Sequence, residues 1–80
     1  MQTKHSSEAT YSHINSIKLS PRQLSVIELR ANGFHNKQIA ERLGIRECTV
    51  KEHITAALNK TKARNVEHAI LCLARSGIIR

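Results

Sequence analysis

The sequence predicts an all-α fold: four short helices with a central helix-turn-helix, preceded by a flexible N-terminal tail. Three observations lead there. Apolar residues recur at helical spacing, and nothing alternates with the period of two that a half-buried strand needs. Stop signals divide the chain at Asn32-Gly33, Gly44 and Ser76-Gly77. Between them Ala40, Gly44 and Val50 stand at the spacing two helices require when they meet at a steep angle.

Residues 1–18 (MQTKHSSEATYSHINSIK) are polar and without period, which reads as a flexible tail or linker. The single domain expected over 19–80 opens at Leu19. Ser20 is a good N-cap, Pro21 suits the first helical position, and Gln23 completes a capping box with Ser20. Leu19 can serve as the hydrophobic staple. This helix carries Val26, Ile27, Leu29 and Ala31 before Asn32-Gly33 stops it. A second helix is expected over Asn36 to Leu43, with Ile39, Ala40 and Leu43 on one face. A third is expected over Glu47 to Lys62, with Val50, Ile54, Ala57 and Leu58 as its buried stripe. The fourth starts at the cap Asn65, places Glu67 in its first turn, and carries Ala69, Ile70, Leu73 and Ala74 on one face.

Composition narrows the function. In 80 residues, 13 Lys and Arg stand against 6 acidic residues, none of them Asp, for a formal charge of +7. Such an excess on a small body favours an anionic partner. Tyr11 and Phe34 are the only aromatics. Single strands are held by stacking bases on aromatic platforms, so duplex DNA is the favoured partner. So short a chain has a thin core and little room for an enzyme cleft. Cys48 and His53 lie near one another on the third helix, but nothing completes a catalytic dyad, and no enzyme is expected. His5, His13, His35, His53, His68, Cys48 and Cys72 do not form a zinc-finger spacing, so no metal or other cofactor is expected. The two cysteines fall at helical positions and read as free, small buried hydrophobes. No apolar run approaches a membrane span, and the expected location is the bacterial cytoplasm.

The informative stretch is NKQIAERLGIRECTVKEHITAALNK, Asn36 to Lys60. Ala40 allows two backbones to approach, Gly44 accepts the positive φ of the turn, and Ile45 plugs it. With Val50, Ile54, Ala57 and Leu58 directed inward, Lys51, Glu52, Thr55 and Asn59 lie towards the other side of the third helix. In a major groove, Lys can read guanine O6 and N7, Glu can accept from cytosine N4, and Thr can meet a thymine methyl.

Over Leu19 to Ile79 the chain resembles the LuxR-type helix-turn-helix domain of bacterial transcription regulators. The blocks that carry the resemblance are L-S-P-R, N-K-Q-I-A-E-R-L-G-I, T-V-K-E-H and R-N-V-E-H-A-I. It implies a four-helix domain with the third helix in the major groove, bound to double-stranded DNA as a sequence-specific regulator. It also implies dimers meeting through the fourth helix, at Ile70, Leu71, Leu73 and Ala74. By position, Lys51, Glu52 and Thr55 are the base-facing residues. The phosphate-facing set is Lys37, Gln38, Thr49, His53, Asn59, Lys60, Lys62 and Arg64, although His53 also fits a structural role beside the second helix. RNA polymerase is a further candidate partner.

The chain departs from that pattern in places. Gln23 stands where the family usually has Glu, and His35 and Arg46 stand at helix starts where Ser or Thr is common. Neither His35 nor Arg46 is a good N-cap. Leu24 and Leu71 replace polar residues and are candidates to extend a dimer surface. Glu52 on the reading face leaves room for an alternative: an adaptor that keeps the fold but sequesters another regulator or a polymerase subunit. A sigma-type module is nearer by fold, but the fourth-helix block argues against it.

Overall fold

The computed structural model of the chain describes residues 19–79; the expected tail, residues 1–18, lies outside the described residues. Four helices follow in order: α1 Pro21–Ala31, α2 Asn36–Leu43, α3 Glu47–Thr61 and α4 Val66–Arg75. No strand occurs among the described residues. α3 packs against each of the other three helices.

Local chemistry sets each end. The Gln23 N–H donates to Ser20 Oγ and the Ser20 N–H donates to Gln23 Oε1, both at 3.1 Å, so the capping box of α1 is complete. Leu19 and Leu24 flank it and pack on the same apolar cluster, as a staple requires. At the other end the Gly33 and Phe34 N–H groups donate to the Arg30 and Leu29 carbonyls, a Schellman motif that needs the positive φ of Gly33, 94°. Ser76-Gly77 ends α4 in the same way, with Gly77 and Ile78 donating to Ala74 and Leu73. α4 starts at Asn65, whose Oδ1 accepts the His68 N–H at 2.8 Å.

The poor caps have different outcomes. Gln38 Oε1 accepts the His35 N–H at 2.9 Å, which supports the start of α2 from the helix side. Arg46 makes no side-chain bond to the start of α3. The expected end of α3 at Lys62 needs correction by one residue: Lys62 is left-handed, with φ 57°, and its N–H donates to the Leu58 carbonyl. A non-glycine residue here carries a conformational cost of roughly 1–2 kcal/mol. The buried Thr61, whose hydroxyl donates to the Ala57 carbonyl at 2.9 Å, holds the last turn in place.

Two apolar clusters form the interior. Val26, Ile39, Ala40 and Val50 make the one between α1, α2 and α3. Ile27, Ala57, Cys72, Leu73 and Ile79 make the one between α1, α3, α4 and the C-terminal segment. Ile54 packs against both. Leu58 is only half-buried, so the stripe of α3 is Val50, Ala57 and Thr61 with Ile54 as bridge. On α4, Ala74 is exposed, and the inward residues are Ala69, Cys72 and Leu73.

Leu73 and Leu71 therefore have opposite roles, since Leu73 is fully buried and Leu71 is 47% exposed. Leu73→Ala is expected to cost about 2–5 kcal/mol in urea unfolding, and Leu71→Ala less than about 0.5 kcal/mol. Equal costs would place the α4 core face elsewhere.

Candidate nucleic-acid interface

The turn between α2 and α3 is built on Gly44, at φ 69°, with the Ile45 N–H donating to the Ala40 carbonyl at 3.0 Å. Ile45 packs into the cluster that holds α2 against α3, next to Val50 and Ile39. These contacts fix which side of α3 faces inward. Its outer side is what remains.

That outer side carries Cys48, Lys51, Glu52, Thr55 and Asn59, all exposed. The intervals of three and four residues put them on one face of a helix. None of Lys51, Glu52, Thr55 and Asn59 makes a side-chain hydrogen bond or ion pair, so their polar groups are available to a partner. Thr49, His53, Ala56 and Lys60, spaced by four, three and four, form the half-buried flank beside it.

The expected phosphate contacts divide. Lys37, Lys62 and Arg64 are exposed. Gln38 is exposed too, but its carbonyl oxygen is engaged by the His35 N–H, which leaves its amide N–H groups as donors. Lys60 is half-buried, and its Nζ donates to Gln23 Oε1 at 2.8 Å, which ties it to the start of α1. The Arg64 N–H donates to His68 Nδ1 at 3.2 Å, so the segment leading into α4 is held by that helix's first turn.

The expected dimer residues do not share one surface. Leu73 is removed from that set, because it lies in the interior against the cluster of Ile27 and Ala57. Ile70 is half-buried on the same cluster, and only Leu71 and Ala74 are exposed. Cys48 also needs correction: it is exposed, whereas Cys72 is buried. The α3 periodicity could have shown this, since Cys48 precedes Lys51 by three and Glu52 by four residues. The weak cap Arg46 also presents an exposed side chain at the entry to α3. Arg42 caps the Phe34 ring, 4.8 Å from its centroid, a contact that periodicity does not show.

Among the described residues no group of three or more His, Cys or acidic side chains could hold a metal ion. No helix among them is long and apolar enough to cross a membrane.

The difference between the cysteines is measurable. In the native chain, Cys48 is expected to react with a thiol reagent and Cys72 only on unfolding, which mass spectrometry of labelled peptides can follow. Native labelling of both at one rate would contradict the packing of α4.

Comparison with known proteins gives matches along this same region. Residues 17–73 match the family described as GerE, bacterial regulatory proteins of the luxR family. The uncharacterized transcriptional regulatory protein YxjL of Bacillus subtilis is 30% identical over 79 residues, 99% of this chain and 36% of that protein. The nitrate/nitrite response regulator protein NarL of Escherichia coli is 44% identical over 54 residues, 66% of this chain and 25% of its own length. A glycerol metabolism activator of Pseudomonas putida is 47% identical over 53 residues, 66% of this chain and 24% of its own. The chain thus spans about a third or less of the length of these relatives.

Proposed function

This chain belongs to the luxR family of bacterial regulatory proteins, and we propose that it is a sequence-specific double-stranded DNA-binding regulator that lays α3 in the major groove. The observation that carries the reading is the outer face of α3: exposed, polar, without intramolecular partners, and held by a helix whose other face is buried in two clusters. Lys51, Glu52 and Thr55 read base edges there. Glu52 contributes only where a cytosine amine lies opposite, since otherwise a carboxylate so near phosphate is repelled. Lys37, Gln38, Thr49, His53, Asn59, Lys60, Lys62 and Arg64 position the duplex through its backbone.

The test is selection of bound duplexes from a random pool, followed by titration at several salt concentrations. A regulator of this kind enriches one half-site and loses affinity steeply as salt rises. Lys51→Ala and Thr55→Ala should each relax base preference at one position, costing about 1–3 kcal/mol against the best sequence, while Lys37→Ala weakens all sequences alike. Equal, weak affinity for selected and random duplexes would overturn the reading in favour of an adaptor that binds another protein.

We also propose that two copies bind together through α4, using Leu71, Ala74 and the exposed edge of Ile70. The supporting observation is that Leu71 is the exposed large hydrophobic residue among the described ones. So small a patch fits a dimer assembled on DNA rather than a stable one in solution. Leu71→Glu is expected to abolish cooperative binding to two half-sites about 34 Å apart, or a multiple of that, and to leave binding to one half-site unchanged. Unaltered cooperativity would move the dimer contact off α4. RNA polymerase remains a proposed partner at the promoter.

A further inference from the structure

His68 stands in the first turn of α4, yet its ring does not cap that helix. The start is already capped, because Asn65 Oδ1 accepts the His68 N–H at 2.8 Å. In α1 and α2 the side chain at the same helical position, Gln23 or Gln38, accepts the N–H of the cap residue itself, Ser20 or His35. His68 Nδ1 instead accepts the N–H of Arg64, the residue before the cap, at 3.2 Å. The half-buried ring thus reaches out of its helix into the segment that joins α3 to α4. The bond requires a neutral ring with its proton on Nε2.

That joining segment carries two exposed cations, Lys62 and Arg64. Lys62 comes three residues after Asn59, where the outer face of α3 runs off the helix. The Lys62 and Ala63 N–H groups both donate to the Leu58 carbonyl, so α3 itself holds the chain that far. Arg64 is the next residue, and the acceptor for its N–H comes from α4.

We propose that His68 is a positioning residue of the DNA interface: its Nδ1 fixes the Arg64 backbone, so that the guanidinium is presented to a phosphate next to Lys62. The inference rests on the duplex-binding reading above. A cation on a free segment must be ordered when it meets a phosphate, at a cost in backbone entropy, whereas Arg64 is ordered on folding. A guanidinium gains more from this than an ammonium, because its planar fork bonds phosphate in a fixed orientation.

The experiment is a double-mutant cycle on the full chain: Arg64→Ala, His68→Phe and the two together, with His68→Asn as the conservative variant. Phenylalanine keeps the ring and removes the acceptor, whereas asparagine puts an oxygen where Nδ1 stands. Affinity for a mixed-sequence duplex of about 30 base pairs is read by fluorescence anisotropy in a salt series at about pH 8. Thermal unfolding is recorded for each variant. Arg64→Ala is expected to flatten the slope of log affinity against log salt by about 0.9, a loss of roughly eightfold near 0.1 M salt when the lines converge near 1 M. His68→Phe should lose about fivefold there, the net worth of one ordinary hydrogen bond. His68→Asn should stay within about twofold of the parent. The double variant should lose about eightfold, like Arg64→Ala, and not the roughly fortyfold of two independent effects.

A roughly fortyfold loss in the double variant overturns the proposal, because His68 then acts on the domain as a whole and not through Arg64. Parent affinity in His68→Phe or in Arg64→Ala overturns it too, as does a His68→Asn variant as weak as His68→Phe. If His68→Phe does not fold, His68→Ala takes its place in the cycle. If the parent itself shows no salt-dependent duplex binding, the duplex-binding reading falls and this inference with it. If the parent binds steeply and the two losses multiply, this inference alone falls.

Discussion

The packing of Ile54 is the constraint on which the other features depend. It contacts the cluster of Val26, Ile39, Ala40 and Val50 and also that of Ile27, Ala57, Cys72, Leu73 and Ile79, so α3 is held from two sides by one side chain. A domain this small buries only about 60% of the surface its unfolded chain exposes, so its two clusters are thin and share Ile54. Burial of Val50, Ala57 and Thr61 with Ile54 leaves α3 a single rotational setting. Turning α3 by one residue, about 100°, would expose Val50 and bury Lys51. Burying an aliphatic side chain such as Val50 contributes roughly 1.5–3 kcal/mol, while burying an unpaired ammonium costs far more. The outer face of α3 is thus set by what the core will accept and not by any attraction to a partner.

The same economy governs the polar groups. Capping boxes, the Asn65 cap and two Schellman endings satisfy helix termini with neighbouring backbone and short side chains. Charges take little part in this. The Arg30–Glu67 pair is 3.9 Å long with a largely exposed carboxylate, an arrangement worth well under 1 kcal/mol. Lys51, Lys37, Lys62 and Arg64 sit at the surface, and their positive charge acts outward. Lys62 even accepts a left-handed backbone at the end of α3. A domain that spent its cations on internal pairs would be a poorer ligand for an anionic duplex.

The helices were legible because their signals are local. Ser20-Pro21 with Gln23, Asn32-Gly33, Gly44, Asn65 and Ser76-Gly77 each act within a few residues, and helical periodicity separates inward from outward positions. Lys51, Glu52, Thr55 and Asn59 were found on the outer side by that periodicity alone. The end of α3 is less legible, because no glycine marks it and the chain turns on Lys62, an ordinary residue. Residue type alone points Cys48 to the interior, whereas its place on the helix puts it outside.

Other features depend on pairs of residues far apart in the chain. Leu73 fits an apolar stripe whether that stripe faces the core or a second copy, and only the approach of Ile27 and Ala57 assigns it to the core. Lys60 carries the pattern of a surface cation, and only the arrival of the α1 capping box makes it a held one. Periodicity and caps establish four helices, their order and the outer face of α3, because each is an interaction within one helix or one turn. Which apolar face meets which, and which cation is anchored, follow from packing, because burial is a property of the assembled surfaces and no single helix contains it.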